Sequence, residues 1–180
     1  MIEVKTMIYT SLNNEKIKKI RKLKEKKYRD QTNLFLIEGE HLINEAYSSN
    51  VLEEVFLLEN TTIDIDIPIS YVAKEIMKSL TDVESPSNMI GICKKIEEQQ
   101  YGNRIVVLDD IQDPGNLGTI IRSAVAFQAD TIILGSHTVD LYNPKVIRAS
   151  QGMIFKINII RTELVPFIQN LKENHYHILT

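Results

Sequence analysis

The 180-residue sequence predicts an α/β protein built in two parts, on three observations. Apolar runs of strand length alternate with segments of helical periodicity along the whole chain. The polar stretch EEQQYGN, residues 97–103, interrupts that alternation once and reads as a linker. Beyond it the strands are continuously apolar, the pattern of strands buried in a parallel sheet between helices. Residues 1–96 are therefore expected as a first domain and 104–180 as a second. Hydrophobic residues make up 43% of the chain, enough to give each part a core.

Taken in order, residues 16–29 read as a basic helix in which Ile17, Ile20 and Leu23 form one narrow apolar stripe. Leu34 to Ile37 is a buried strand ended by Gly39, and residues 40–49 are a short helix with Leu42, Ile43 and Ala46 on one face. Strands follow at 51–59 and 67–72, then a helix at 74–82, proline and serine punctuation at 85–88, and a strand at 89–96. After the linker come a strand at 104–111, a helix from Leu117, a strand at 131–135 and a helix around 143–150. A strand at 153–160, a helix at 163–174 and a last strand at 176–180 complete the pattern.

Several function classes are excluded or weakened. No apolar run approaches the roughly 18 to 20 residues of a membrane span. Glu3 and Lys5 interrupt the N-terminus where a signal peptide needs apolar residues, so a soluble, cytoplasmic protein is expected, with no membrane partner. The single cysteine, Cys93, lies in an alternating apolar run and reads as a buried strand thiol. His175 and His177 share a predicted strand face but lack a cysteine or carboxylate at ligand spacing, and His41 and His137 have no identifiable partner, so no metal is expected. No Ser/His/Asp arrangement can be assigned.

The net charge of −3 conceals a strong asymmetry. Residues 16–29, KIKKIRKLKEKKYR, hold nine Lys or Arg and one acid. A basic block on an acidic body is the footprint of a polyanion partner, because each phosphate neutralised releases condensed counterions. The competing reading is a solvated helix face. Lys18, Lys19, Arg21, Lys22, Lys26, Lys27 and Arg29 are the candidate nucleic-acid contacts here, and Arg148 is a further one downstream.

In VVLDDIQDPGNLGTIIRSA, residues 106–124, a strand leads through Asp109 to Gly118 into a helix. Ligands of open α/β sheets bind at such strand ends and helix N-termini. Pro114 fixes φ, Gly115 can take a positive φ, Asn116 can cap the helix, and Gly118 admits close approach of a backbone or a ligand. Leu117, Ile120, Ile121, Ala124 and Val125 form a core face, which leaves Thr119, Arg122, Ser123 and Ala126 opposite. Arg122 suits a phosphate or an acid on the surface equally well by spacing. Neither G-x-G-x-x-G nor G-K-[ST] occurs.

The stretch LDDIQDPGNLGTIIRSAVAFQAD resembles the first motif of the SpoU (TrmH) family of RNA ribose 2′-O-methyltransferases, within the SPOUT class. LYNPKVIRASQGMIFKINI resembles the segment that follows in those enzymes, and KLKEKKYRDQTNLFLIEGEHLINEA resembles their N-terminal RNA-binding domain, a small ribosomal-protein-like α/β fold. The resemblance implies a parallel-sheet SPOUT (α/β knot) catalytic domain after the RNA-binding domain. It implies methyl transfer from S-adenosylmethionine to a ribose 2′-hydroxyl of rRNA or tRNA, and a homodimer at full length. Arg122 matches the family's catalytic arginine and Asn116 the asparagine that shapes the site. Asn143, Arg148, Ser150 and Gly152 would lie on the same rim, or else serve as a cap, a surface pair and a helix end.

The family's second and third motifs, which build the knot and most of the cofactor pocket, are expected beyond residue 180. Only Leu179 and Thr180 match a strand end that touches the cofactor. The chain is thus expected to be truncated and, taken alone, to bind S-adenosylmethionine weakly without turnover. The alternative is a non-catalytic RNA-binding module.

Overall fold

Residues 8–179 are described by the structure, a computed structural model. Two compact units divide the chain, Met1–Ile96 and Glu97–Thr180. The first contains β1 (Ile8–Tyr9), α1 (Glu15–Lys22), α2 (Lys26–Thr32), β2 (Leu34–Glu38), α3 (Glu40–Ser48), β3 (Leu52–Leu58), β4 (Ile69–Val72), α4 (Lys74–Leu80) and β5 (Met89–Lys94). Its sheet runs β1-β4-β3-β5-β2, with β4 parallel to β1 and β3, and β5 antiparallel to β3 and β2.

Period-2 alternation sorts this sheet onto two cores. Phe56, Ile90 and Ile92 meet Ile17, Ile20 and Leu23 of the α1 segment and Ile76, Met77 and Leu80 of α4. Phe35, Ile37, Val55, Leu57 and Cys93 are buried on the other face, where α3 packs with Leu42, Ile43 and Ala46.

The single basic helix expected over 16–29 is two helices. Asn14 caps α1 by accepting from the N–H groups of Lys16 and Ile17. The chain then turns through 23–25, and Arg29 accounts for the break. Its Nη1 donates to the carbonyls of Leu23 (2.8 Å) and Lys24 (2.7 Å), which the turn leaves without helical donors. Arg29 is only 4% exposed. Its expected role in RNA contact is corrected accordingly: it serves the first unit's interior.

The second unit contains β6 (Ile105–Leu108), α5 (Pro114–Ala126), β7 (Thr131–Leu134), α6 (Pro144–Ser150), a 3₁₀ turn (Met153–Phe155), β8 (Asn158–Arg161) and α7 (Leu164–Glu173). Its sheet is wholly parallel in the order β6-β7-β8. Thr131 to Leu134 of the central strand are fully buried, whereas Ile105 to Val107 on the edge are half-buried.

Two expectations fail in this unit, and the segment expected as a linker, 97–103, is held by side chains: Gln99 N–H donates to Asn158 Oδ1, whose Nδ2 donates back to the carbonyls of Gln99 and Gln100. Asp130 Oδ2 accepts from the backbone of Asn103 and Arg104, so the polar residues are fastened to β8 and the start of β7. The strand expected over 153–160 begins only at Asn158, because Gln151 and Gly152 take left-handed backbone (φ 50° and 82°) and residues 153–155 close a 3₁₀ turn. Residues 176–179 form no strand. Tyr176 N–H instead donates to Leu171 O behind a left-handed His175 (φ 61°), which finishes α7.

Candidate active site and nucleic-acid interface

The loop 109–113 leaves the carboxyl end of β6 and launches α5. Asp113 caps the helix by accepting from Asn116 N–H at 2.8 Å, and Pro114 fills the first helical position, where no donor is needed. The cap expected of Asn116 is thus supplied by Asp113, three residues earlier. Gly115 lies in the helix without a positive φ, which corrects the turn conformation expected there.

Leu117, Gly118, Ile121 and Ala124 are the buried face of α5. A Cβ placed on Gly118 would meet Ala149 Cβ at 2.4 Å, Ala149 C at 2.8 Å and Ser150 N at 2.8 Å. This glycine makes room for the backbone of α6, so of the two approaches expected there, a backbone or a ligand, the structure shows the backbone. Asn116, Thr119, Arg122, Ser123 and Ala126 are exposed together on the opposite face. Asn116 and Arg122 are six residues apart, about 9 Å along the axis. A long, flexible guanidinium can turn back along that face toward the loop.

The downstream rim is mostly structural. Asn143 caps α6 by accepting from Lys145 N–H, Ser150 is buried with its Oγ donating to Ile147 O, and Gly152 follows the helix in a left-handed conformation. Arg148 is half-buried on α6. Leu179 is 94% exposed and Thr180 lies outside the described residues. No strand forms at Leu179, and the cofactor contact expected of Thr180 lies outside the described residues.

One residue at this end of the sheet escaped the sequence reading. Arg161, the last residue of β8, donates from its guanidinium to the carbonyls of Gly135, Ser136, Thr138 and Val139. Withdrawal from water under this loop lowers its pKa, against the opposing pull of Asp140 and Glu98. The only signal was an arginine closing the apolar run INII.

On the first unit, Lys18, Lys19, Arg21, Lys22 and Lys24 line an open groove of about 600 Å³ with Glu15, Glu25 and Ser79. Ion pairs divide the cations. Lys16 pairs with Glu54, Lys18 with Glu15, Lys24 with Asp82, and Lys26 with Asp30, which also holds Lys95. Hydrogen bonds from Lys26 and Lys95 pull the Asp30 carboxyl down to about 2, and a hydrogen bond from Lys18 lowers Glu15. Lys19, Arg21, Lys22 and Lys27 are exposed and form no close salt bridge among the described residues, although the charges of Lys19 and Lys22 also help to lower Glu15; Lys22 and Lys27 lie over the Tyr28 ring at 5.1 and 5.9 Å. Burial, aided by Glu53, raises the Cys93 thiol well above its usual range, which makes it inert. No cluster of three metal-ligating side chains occurs among the described residues, and no helix there is long and apolar enough to cross a membrane.

Comparison with known proteins matches each unit separately. The SpoU rRNA methylase family profile matches residues 103–180, and the profile of the MRM3-like substrate binding domain matches residues 14–91. The chain is 36% identical over 168 residues to the 23S rRNA (guanosine(2553)-2′-O)-methyltransferase RlmP of Bacillus subtilis, covering 90% of this chain and 68% of that protein. It is 28% identical to human mitochondrial rRNA methyltransferase 3, of which it spans 39%. An AdoMet-bound rRNA methyltransferase from Sinorhizobium meliloti superposes with a TM-score of 0.79 at 31% identity, covering 93% of this chain and 69% of that one. The wholly parallel second sheet and these likenesses agree: the chain belongs to the SpoU (TrmH) family of S-adenosylmethionine-dependent RNA 2′-O-ribose methyltransferases.

Proposed function

We propose that the protein carrying this chain methylates a ribose 2′-hydroxyl of ribosomal RNA, with the first unit gripping the RNA and the second contributing to the chemistry. The observation that carries the reading is the shared exposure of Asn116 and Arg122 on α5, at the carboxyl end of a parallel sheet. S-adenosylmethionine, the methyl donor of the family, supplies an already activated methyl group. What this chain's residues must do is hold the hydroxyl in line and stabilise it as its proton leaves. A guanidinium, which stays protonated in proteins, is a poor proton acceptor. Arg122 therefore acts as a fork on the ribose-phosphate and as a stabiliser of the developing alkoxide, with Asn116 as a neutral partner.

Transfer of radiolabelled methyl to 23S rRNA tests this. Arg122→Lys should lose about 10²-fold or more in kcat, because a point charge cannot replace the fork. Near-normal turnover would refute the role. The basic groove of the first unit would serve one other reading equally, an RNA-binding module without turnover. Salt-sensitive RNA binding with no methyl transfer would select it, and reading the coding DNA past the codon for Thr180 for a glycine-rich loop with a glutamate would bear on the same choice. A homodimer and a cytoplasmic location belong to the proposal, to be checked by sedimentation and fractionation.

A further inference from the structure

We propose that Arg161 is a positioning residue for this reaction: it clamps the loop 135–139 against the loop 109–113 and thereby sets where α5, with Asn116 and Arg122, begins. The inference rests on the function proposed above but stands on different residues. Arg161 Nη1 donates to Thr138 O at 2.7 Å and more weakly to Gly135 O at 3.0 Å and Ser136 O at 3.2 Å, while Nη2 donates to Val139 O at 2.7 Å. Nη1 has two protons for three carbonyls, so the two longer contacts share one. The loop is folded around the cation.

The clamped loop is in turn bonded to the launching loop of α5. Gly135 N–H donates to Leu108 O and Val139 N–H to Ile111 O, both at 2.9 Å, and Gln112 Nε2 donates to His137 O at 2.6 Å. Asp113, the cap of α5, is the residue after Gln112. A chain of hydrogen bonds thus runs from one guanidinium to the first turn of the helix that carries the candidate catalytic residue. Arg161 keeps solvent exposure and belongs to no apolar core, so its removal leaves the packing of β7 and α6 in place. Four carbonyls arranged around a planar fork also explain arginine here, since a lysine ammonium has three donors and no fork geometry.

The test compares the full chain with Arg161→Gln and Arg161→Lys. Amide exchange at Val139 and Asn116 is read by magnetic resonance, and kcat and KM for RNA are measured separately. We expect both amides to exchange at least about tenfold faster, kcat to fall about tenfold or more, and KM for RNA to stay within about twofold, because misplacing a site costs turnover while the basic face of the first unit is untouched. The melting temperature should change little. Unchanged protection at both amides in both variants would overturn the proposal, as would a kcat kept within twofold or fully restored by lysine. A wild-type chain that transfers no methyl group would sink the proposed function alone, and exchange at Val139 and Asn116 would still decide whether the clamp sets the start of α5.

Discussion

Substituting Gly118 by alanine isolates the contact that seats α5 on α6. In an exposed helix interior this change stabilises, by about 1 kcal/mol, through helix propensity. Here the new Cβ would sit 2.4 Å from Ala149 Cβ and 2.8 Å from two backbone atoms, Ala149 C and Ser150 N. Side chains can rotate away from such contacts, but helix backbone moves only if the whole element shifts. Overpacking of a core costs about 1 to 3 kcal/mol, and a clash with backbone belongs at the upper end. The difference is a net loss of about 2 kcal/mol, which in a unit of this size lowers the melting temperature by roughly 8 to 16 °C. Chemical and thermal unfolding of Gly118→Ala measure it directly. Ala149→Gly in the same chain removes the shortest contact and leaves the two backbone ones, so a double-mutant cycle should recover part of the loss and not all of it. A Gly118→Ala protein as stable as wild type, or more so, would refute the packing argument.

Three further predictions concern the first unit. Replacing Lys19, Arg21 and Lys22 together by glutamine should flatten the slope of log affinity for RNA against log salt by about 2 to 3, since each phosphate contact contributes about 0.7 to 0.9; an unchanged slope in fluorescence anisotropy would place the RNA elsewhere. Arg29→Met should leave that slope intact and instead cost about 2 to 4 kcal/mol in urea unfolding, because the carbonyls of Leu23 and Lys24 lose their donors. Asp30 has a folded pKa of about 2 against an unfolded 3.8, so its contribution is present above about pH 4 and is lost as the pH falls toward 2. The pair is largely exposed, so screening limits this to about 0.5 to 1 kcal/mol. Urea midpoints of Asp30→Asn and wild type should differ at pH 6 and converge near pH 2.

The elements that were legible in the sequence are those whose apolar spacing is set by burial. Leu42, Ile43 and Ala46 face a sheet and read as a helix, and Thr131 to Leu134 are buried on every side and read as a parallel strand. What could not be read depends on polar atoms meeting at a distance in sequence. The break after α1 requires Arg29 to reach the carbonyls of Leu23 and Lys24, and nothing in KIKKIRKLKEKKYR separates that arginine from its eight cationic neighbours. The supposed linker looks unstructured because its partners, Asn158 and Asp130, are side chains on other elements. At the site, the outward face of Thr119, Arg122, Ser123 and Ala126 follows from helical period alone. The cap by Asp113 and the clamp by Arg161 do not.

Gly118 and Arg122 belong to one device. On a helix each residue turns about 100°, so the side that admits α6 at Gly118, Ile121 and Ala124 leaves Asn116, Arg122 and Ser123 facing out. The depth at which α5 sits against α6 therefore sets how far Arg122 stands from anything that the loop 109–113 presents. A methyl group at Gly118 that pushes the helix out by about 1 Å carries the arginine with it, and a misplacement of that size can reduce turnover about 10²-fold. The cations at Lys19, Arg21 and Lys22 lie on a different unit and do not move. Gly118→Ala, assayed well below its melting temperature, should accordingly keep its RNA affinity and lose methyl transfer, whereas parallel losses of both would mean that the glycine supports only the stability of the second unit.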